Sequence, residues 1–358
     1  MNEVYTDSSV ALLLQRLQST VGRCLLVADE NWANVNWGLV RNTDQRSIHL
    51  VSNRYDIAKS ASAAGIEADF NDFDFSTWEP QSFDTVLFRV AKERATSHHV
   101  LNRAAELLRL HGQLILTGEK NDGIKTYVKQ ANRLFGDKAS AEKNGAHYLA
   151  SVQLYQKDAP ALDDKYYPHT RLIKTGDGSL MESKPGIFGW DKIDRGSTYL
   201  IEYLPQFLAR YAAPPITLLD LGCGYGYLSM QASQQGFMQI TGTDNNAAAL
   251  SATAKNFQRL NIDNFLVAGD AGNQITGRFD TVLCNPPFHQ GFSVDGDMAV
   301  KFLSATKRLL AESGQALFVV NNFIPLEQKA KAYFRYIDVL ANNGSFKLIA
   351  LSQQSVKN

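Results

Sequence analysis

The stretch LLDLGCGYGYLS, residues 218–229, has the residue types and spacing of a nucleoside-binding loop. An apolar run ends at Asp220, and three glycines follow at alternate positions, Gly222, Gly224 and Gly226. The residues after them have the spacing of a helix. Glycines permit positive φ there and let a ligand lie against the backbone at the start of a helix. Dinucleotide-binding loops place their third glycine three positions after the second, where this chain has Tyr227. The pattern therefore argues against a nicotinamide or flavin dinucleotide as the ligand.

Two further apolar stretches also end in an acid. The stretch MQITGTD ends at Asp244, and FLVAGD ends at Asp270. Because parallel α/β sheets bind ligands at the carboxyl ends of their strands, we expect these acids to lie with Asp220 at one edge. Asp244 would accept both hydroxyls of a ribose there. Any one of these acids alone is more often a helix N-cap, and that alternative stays open for each.

The stretch FDTVLCNPPFHQG, residues 279–291, stops a fourth apolar strand with two prolines. A loop stiffened by proline can aim hydrogen-bond acceptors. The exocyclic amine of a planar base is a poor nucleophile because its lone pair is delocalised into the ring. The side-chain oxygen of Asn285 and the carbonyl of Pro286 would each accept one amine hydrogen, and Phe288 would stack on the base. A plain strand-ending turn explains the prolines but not these neighbours.

In this order, the motifs DLGCGYG, GTD, AGD and NPPF resemble those of Rossmann-like S-adenosylmethionine-dependent methyltransferases. The last motif is similar to that of enzymes that methylate exocyclic amino nitrogens. The segments KPGIFGWDKIDRGSTYL, 184–200, and LANNGSFKL narrow the resemblance to the ribosomal RNA small subunit methyltransferase C (RsmC) family and its large-subunit relative RlmG. The resemblance implies methylation of guanine N2 in ribosomal RNA, with 16S RNA of the small subunit favoured over 23S RNA. It also implies two tandem methyltransferase-like domains, the first of them degenerate.

The resemblance assigns roles to residues of this chain. The catalytic set that holds the base would be Asn285, Pro286 and Phe288. The set that holds S-adenosylmethionine would be Gly196, Ser197, Asp220, Gly222, Cys223, Gly224, Asp244, Asn245, Asp270, Ala271 and Asn285. Within it, Gly196 and Ser197 would close over the methionine end of the cofactor. No metal is expected. The chain departs from the family pattern at FGW, 188–190, where a small polar residue is expected after Phe188.

Several patterns occur twice, at separations of about 193–202 residues. The letters FDTVL occupy 83–87 and 279–283, and AELLRLHGQLILT at 105–117 resembles TKRLLAESGQALFVV at 306–320. We interpret this as a duplicated α/β domain with a parallel sheet covered on both faces, with chance similarity as the alternative.

The expected boundaries are 1–157 for the first domain, 158–185 for a linker and 186–358 for the catalytic domain. The linker pair Asp177-Gly178 predicts a β-hairpin, which we expect to pack with the second domain.

The first copy lacks the chemistry of the second. It has VADENWANV, with the bulky Asn31 and Trp32, in place of the glycine loop, and FRVAKE in place of CNPPF. We therefore expect a catalytically silent domain that serves as a structural partner or as a platform for RNA. Its segment 119–143 holds six Lys or Arg against four acids, which suits phosphate contacts or an ordinary solvated helix face.

Composition fits a globular protein, with 44% hydrophobic and 20% charged residues. Its 36 basic and 36 acidic residues balance, so bulk charge decides nothing about nucleic acid or membranes. The three cysteines lack paired spacing, and no leader or long apolar run occurs. We expect a cytoplasmic monomer without a membrane partner, whose partner is ribosomal RNA in the small subunit or an assembly intermediate. Open alternatives are methylation of DNA adenine or protein glutamine, and a non-catalytic nucleoside-binding protein or RNA chaperone.

Overall fold

The computed structural model describes residues 6–156, 159–176, 178–262, 264–287 and 295–355. The chain divides into two compact units, Met1–His169 and Thr170–Asn358. Each unit is built around one seven-stranded sheet. Within the described ranges, no helix is both long enough and apolar enough to cross a lipid bilayer.

Strands and helices alternate through most of the first unit. In chain order its elements are α1 (Ser8–Leu17), β1 (Gly22–Ala28), β2 (Arg46–Ser52), α2 (Tyr55–Ala63), β3 (Glu67–Phe70), β4 (Phe83–Arg89), α3 (Arg94–Leu107), β5 (Leu108–Glu119), α4 (Ile124–Phe135), β6 (Glu142–Asn144) and β7 (His147–Gln153).

The second unit begins with two short strands and then follows the same alternation. Its elements are β8 (Arg171–Lys174), β9 (Leu180–Ser183), α5 (Arg195–Glu202), α6 (Leu204–Leu208), β10 (Thr217–Leu221), α7 (Tyr227–Ser233), β11 (Gln239–Asp244), α8 (Ala247–Leu260), β12 (Asn264–Ala268), β13 (Phe279–Cys284), α9 (Asp295–Leu309), β14 (Leu310–Asn321), α10 (Leu326–Ala330), β15 (Tyr336–Asn342) and β16 (Phe346–Ser352).

The two sheets have the same strand order. The first runs β3-β2-β1-β4-β5-β7-β6, and the second runs β12-β11-β10-β13-β14-β16-β15. In each, the first five strands are parallel, and the sixth strand, β7 or β16, pairs in antiparallel fashion with both of its neighbours. The expected α/β class is confirmed, and the expected parallel pairing holds for the first five strands of each sheet but not for the remaining pairs. The reason lies in the Asn-Gly turns at 144–145 and 343–344, because such short turns join antiparallel strands only.

Successive residues of the central strand β10 face two different layers of helices. Leu218 belongs to a buried cluster with Leu200 of α5 and Phe257 of α8. Leu219 belongs to another cluster, with Leu303 of α9. A strand covered on both faces needs apolar residues at consecutive positions, which accounts for the uninterrupted run that precedes Asp220.

The repeated letters FDTVL build the same junction in both units. The Asp84 carboxylate of β4 accepts a hydrogen bond from the backbone N–H of Arg23 at 2.7 Å. The Asp280 carboxylate of β13 accepts from the backbone N–H groups of Ile216 and Thr217, at 2.9 and 3.0 Å. In each unit the acid therefore satisfies backbone donors where the neighbouring central strand begins. The repeated letters serve the sheet and not the chemistry.

The segment between the sheets divides differently from our expectation. Residues 159–169 pack in the first unit, where buried Tyr167 stacks on His99 with ring centroids 4.9 Å apart and donates to Asp72 at 2.8 Å. The expectation that the whole stretch 158–185 packs with the second domain is therefore wrong for this part, because its apolar side chains complete the first core. Strands β8 and β9 pair in antiparallel fashion in the second unit. Asp177 lies outside the described residues, and Gly178 has φ +87°.

An arginine takes the position after FDTVL that asparagine takes in the second unit. Arg89 follows β4 residue Phe88 as Asn285 follows Cys284. The Arg89 side chain is buried, with one guanidinium nitrogen 3.0 Å from the Asp122 carboxylate and 3.6 Å from that of Asp7. Another nitrogen donates to the Val90 carbonyl at 2.7 Å.

The region after β1 is likewise filled by the unit's own side chains. Trp32 is fully buried and stacks on Trp37, with ring centroids 6.0 Å apart. Leu87 and Leu283 are the last residues of the two FDTVL copies, and they pair with Leu26 and Asp220. Leu26 therefore corresponds to Asp220, and Ala28, two residues later, corresponds to Gly222. Trp32 thus lies just beyond the point where the second unit begins its glycine loop.

We expect Arg89→Ala to lower the free energy of unfolding of the protein by about 3–5 kcal/mol, because Asp122, whose side chain is 10% exposed, would keep a buried charge without its partner. Urea denaturation followed by circular dichroism measures this change. The matched control is Arg109→Ala, since Arg109 pairs with Asp84 but is 54% exposed. Its expected cost is below about 1 kcal/mol. Equal costs for the two variants would contradict the buried-pair interpretation.

Candidate active site

The glycine loop between β10 and α7 is bound to the end of β11. The backbone N–H groups of Gly222 and Cys223 both donate to the Thr243 carbonyl, at 2.9 and 3.0 Å. All three glycines have positive φ. A Cβ on Gly226 would come within 2.9 Å of the Thr253 side chain, whereas a Cβ on Gly224 would meet nothing within 4 Å. Gly226 is thus required by packing, and Gly224 borders open space that a ligand can enter.

Asp244, at the end of β11, holds the loop in place. One carboxylate oxygen accepts from the Gly224 N–H at 2.9 Å, and the other accepts from the Asn246 N–H at 2.8 Å. Asp244 and its neighbour Asn245 are both half-buried. Each carboxylate oxygen has a second lone pair, so the group can still accept hydrogen bonds from a ligand. The predicted ribose contact remains compatible with this geometry.

Asp220 has a structural task that its sequence pattern did not reveal. It is fully buried, and its Oδ2 accepts from the backbone N–H and the hydroxyl of Ser229 in α7, at 3.0 and 2.7 Å. Its Oδ1 is buried without a hydrogen-bond partner within the described residues. Burial, with the nearby Asp244 charge opposing ionisation as well, raises the pKa of Asp220 to about 6 against the Ser229 hydrogen bonds. One oxygen therefore anchors α7, and the other is buried without a hydrogen-bond partner among the described residues.

Asp270 is joined to the same edge but carries an ion pair. The Gly269 N–H donates to the Asp244 carbonyl at 3.0 Å, and the Asp270 carboxylate pairs with Lys301 of α9. Sequence reasoning missed Lys301, because nothing in a helix 31 residues away marks it as a neighbour. Ala271 has the left-handed values φ 46° and ψ 44°, which are costly for a residue with a Cβ. Such backbone geometry is concentrated at ligand sites.

The thiol of Cys223 faces the interior. It lies 3.8 Å from the Thr253 hydroxyl and would be 3.3 Å from a Cβ on Gly242. Burial, with the charges of Asp244 and Asp220, raises the pKa of this thiol well above its usual range. If Cys223 contacts the cofactor as predicted, it does so through its backbone atoms and not through its thiol.

Asn285 is half-buried at the end of β13, and its amide has a defined direction. Its Nδ2 donates to Oδ1 of Asp194 at 2.6 Å and to the Ser197 hydroxyl at 2.8 Å. For its Oδ1 the structure shows no hydrogen-bond partner among the described residues. Pro286 is buried, and Phe288 lies outside the described residues. The amide nitrogen of Asn285 is thus occupied, and the predicted role of its oxygen and of the Pro286 carbonyl as acceptors for an amine stays a prediction.

Gly196 and Ser197 lie at the start of α5, against Asn285. A Cβ on Gly196 would come 3.0 Å from the Asp194 carboxylate and 3.1 Å from the Phe346 ring. Gly196 thus permits close packing here, and Ser197 is buried with its hydroxyl on Asn285. Sequence reasoning missed Asp194. The sequence did offer one signal, because aspartate is a common N-cap and Asp194 stands directly before the first residue of α5.

The structure brings together four strand ends with the start of α5, as the sequence predicted for β10, β11, β12 and β13. Among the described residues, no group of three or more His, Cys, Asp or Glu side chains is placed to hold a metal ion.

Two family models match the chain. The methyltransferase small domain model matches residues 179–350, and the methyltransferase small domain N-terminal model matches residues 12–152. Together they cover most of the chain, one in each compact unit.

Named relatives extend this match. The ribosomal RNA small subunit methyltransferase C of Shewanella halifaxensis is 29% identical over 270 residues, which are 75% of this chain and 77% of that protein. The protein of the same name from Shewanella piezotolerans is 28% identical over the same extent. A T. thermophilus 16S rRNA N2 G1207 methyltransferase (RsmC), solved with AdoMet and guanosine, is 22% identical with a TM-score of 0.85, covering 98% of this chain and 93% of that one. That likeness shows that the chain has a methyltransferase fold. The two family models together match most of the chain, so it belongs to the methyltransferase small domain proteins, and it is similar to ribosomal RNA small subunit methyltransferase C proteins over three quarters of its length.

Proposed function

We propose that the protein transfers a methyl group from S-adenosylmethionine to the exocyclic N2 amine of a guanine in 16S ribosomal RNA. The observation that carries this proposal is the Asn285 amide, whose nitrogen is held by Asp194 and Ser197 and whose oxygen is left to accept. The names of the relatives and the AdoMet and guanosine bound to the T. thermophilus protein support the same substrate class.

The residues around the glycine loop fit this cofactor. Gly224 borders space for a ligand, the Asp244 carboxylate can accept from ribose hydroxyls, and the negative charge of the buried Asp220 carboxylate favours a positively charged group nearby. Asp270 and Ala271 would border the adenine. When bound, S-adenosylmethionine supplies a methyl group on a positively charged sulfur. The protein's own groups bind and orient it, and no thiol or metal of the chain is needed.

The task of Asn285 and Pro286 is to orient the amine. The Asn285 oxygen and the Pro286 carbonyl each accept one amine hydrogen, which turns the nitrogen lone pair away from the ring plane and toward the methyl donor. The nitrogen would form one new bond to the methyl carbon while the carbon–sulfur bond of the donor breaks, the neutral sulfur would keep that electron pair, and the nitrogen would release one hydrogen to solvent as a proton. Phe288 would stack on a base that has been flipped from its helix. The same geometry suits guanine N2 in 23S RNA, adenine in DNA or a protein glutamine, and the names of the relatives favour 16S RNA.

The division of labour between the units is also a proposal. The first unit would be a catalytically silent copy that arose by domain duplication, with the β8–β9 hairpin in the connection. Buried Arg89 and Trp32 support this role, because they fill the places that correspond to the amine and cofactor sites. The protein would act in the cytoplasm as a monomer during ribosomal RNA processing and ribosome biogenesis, on the small subunit or an assembly intermediate, without a membrane partner.

Helix α4 offers the first unit a surface for RNA. Lys125, Lys129 and Arg133 are four residues apart, so they form one exposed stripe. None of the three makes an ion pair with another described residue. Lys125 and Lys129 also line a depression of about 300 Å³. Unpaired cations in a row suit a phosphate backbone.

Replacing Asp244 with Ala should weaken S-adenosylmethionine binding about tenfold or more, because charged acceptors of this kind are worth roughly 1.5–3 kcal/mol per hydrogen bond. Isothermal titration calorimetry measures the change. Asp338→Ala, which removes another acid of the same unit, is the control and should bind normally. Undiminished affinity in the Asp244 variant would remove this residue from the cofactor site.

Asn285→Ala should leave cofactor affinity intact while kcat falls by roughly 10², because the group that positions the amine is lost. The measurement is mass spectrometry of nucleosides from 16S RNA or small subunits methylated in vitro. Gln235→Ala removes an exposed amide of the same unit and serves as the control. A ribose-methylated or ring-carbon-methylated product, or an Asn285 variant with full rate, would refute the proposed chemistry.

The α4 stripe is tested by replacing Lys125, Lys129 and Arg133 together with Ala. RNA affinity should fall. The negative slope of log affinity against log salt should become shallower by about 2, since each lost phosphate contact removes about 0.7. The control exchanges Lys for Arg and Arg for Lys at these positions, which keeps the charge. An unchanged salt slope in the Ala variant would show that the stripe is only a solvated face.

A further inference from the structure

The asparagine of the proposed amine site must present its oxygen and not its nitrogen. An asparagine amide is nearly symmetrical in shape, and a half-turn about its last bond exchanges acceptor and donor. In the exchanged state an N–H would face the amine of the base. The rate of methyl transfer therefore depends on the contacts that hold the Asn285 amide in one orientation.

We infer that Asp194 is the positioning residue that fixes this direction, with Ser197 as its second support. This inference rests on the proposed function, because it concerns how Asn285 is prepared for an amine. Asp194 lies 91 residues before Asn285. Neither the family models nor the names of the relatives assign it a role.

The contacts act as a filter for one amide orientation. An ionised carboxylate can only accept, so Oδ1 of Asp194 requires a donor at 2.6 Å and repels an oxygen there. The Ser197 hydroxyl, 2.8 Å from Nδ2, can accept a second hydrogen from the same nitrogen. With both N–H groups engaged, the Asn285 oxygen must point the other way.

Asp194 is itself held rigidly, so it can transmit a fixed direction. It is the N-cap of α5, and its Oδ1 accepts from the Ser197 N–H at 2.8 Å. Its backbone carbonyl accepts from the N–H and the hydroxyl of Thr198, at 3.0 and 3.1 Å. Any side chain at Gly196 would crowd this carboxylate. The helix start and the orientation of the amide are thus set by one oxygen atom.

The competing interpretation is that Asp194 only caps a helix. The two roles separate by substitution. Serine is as good an N-cap as aspartate but is too short to reach Asn285, so Asp194→Ser keeps the cap and removes the positioning contact. Asparagine keeps an oxygen that can accept from both Ser197 N–H and Nδ2, so Asp194→Asn is the conservative variant. Ser197→Ala removes the second support, and Ser233→Ala, a hydroxyl that bonds the Met230 carbonyl, is its control.

The experiment measures kcat and KM for N2-methylguanosine formation on small-subunit RNA, together with S-adenosylmethionine affinity and melting temperature, for the full-length protein. We expect Asp194→Ser to lower kcat at least tenfold with cofactor affinity and melting temperature near wild type. Ser197→Ala should lower kcat several-fold, and Asp194→Asn should stay within a few-fold of wild type. Ser233→Ala should match wild type.

The decisive comparison repeats Asp194→Ser in the Asn285→Ala background. If Asp194 acts through Asn285, the second substitution should change kcat less than threefold there. The same tenfold loss in both backgrounds, full kcat in Asp194→Ser, or a loss that appears only as weaker cofactor binding would overturn the inference. In each of these results the wild-type protein still makes N2-methylguanosine, so the proposed function stands. Absence of that product with the wild-type protein would instead reject the proposed function, and this inference with it.

Discussion

The site depends on one residue that joins three strand ends. Asp244 accepts from Gly224 with one carboxylate oxygen, from Asn246 with the other and from Gly269 with its backbone carbonyl. These bonds connect the glycine loop after β10, the start of α8 and the end of β12. Hydrogen bonds to a charged acceptor are stronger than neutral ones, so the carboxylate keeps loops that are otherwise free of regular structure in register with the sheet. The proposed cofactor contacts of the glycine loop and of the β11 and β12 ends are positioned through this junction.

The two units show how one sheet supports opposite outcomes at the same edge. Both use FDTVL to begin a strand and an aspartate to satisfy the neighbouring strand, so the framework is shared. They differ in the next residues. In the first unit Arg89 is buried and is neutralised by two half-buried acids, Asp122 and Asp7, which consumes the space and the charge that a ligand would need. In the second, two prolines stop the strand, and Asn285 is half-buried with its amide nitrogen held by Asp194 and Ser197.

Local patterns predicted the parts of the site that are local. The glycine loop, the acids at strand ends and the proline-stopped strand each depend on residues within one short stretch, and the structure has each of them in place. The Asp194–Asn285 contact joins residues 91 positions apart, so no periodicity marks it. The role of Asp220 was predicted only in part, because Ser229 occupies one of its oxygens. The position of Tyr167 in the first unit was missed, because the sequence of a linker does not indicate into which of two neighbouring cores its apolar residues pack.

Electrostatics explains why a cationic cofactor suits this edge. Burial opposes the charge on Asp220, and Asp244 adds to that opposition, which together raise the Asp220 pKa to about 6. The group is therefore ionised at neutral pH but at a cost, with one oxygen lacking a donor among the described residues. Lys301 pairs with Asp270 and so offsets a different carboxylate. A positive charge bound near this edge would lower the cost of keeping Asp220 ionised, whereas a neutral nucleoside would not, so we expect the buried acid to favour a cationic ligand.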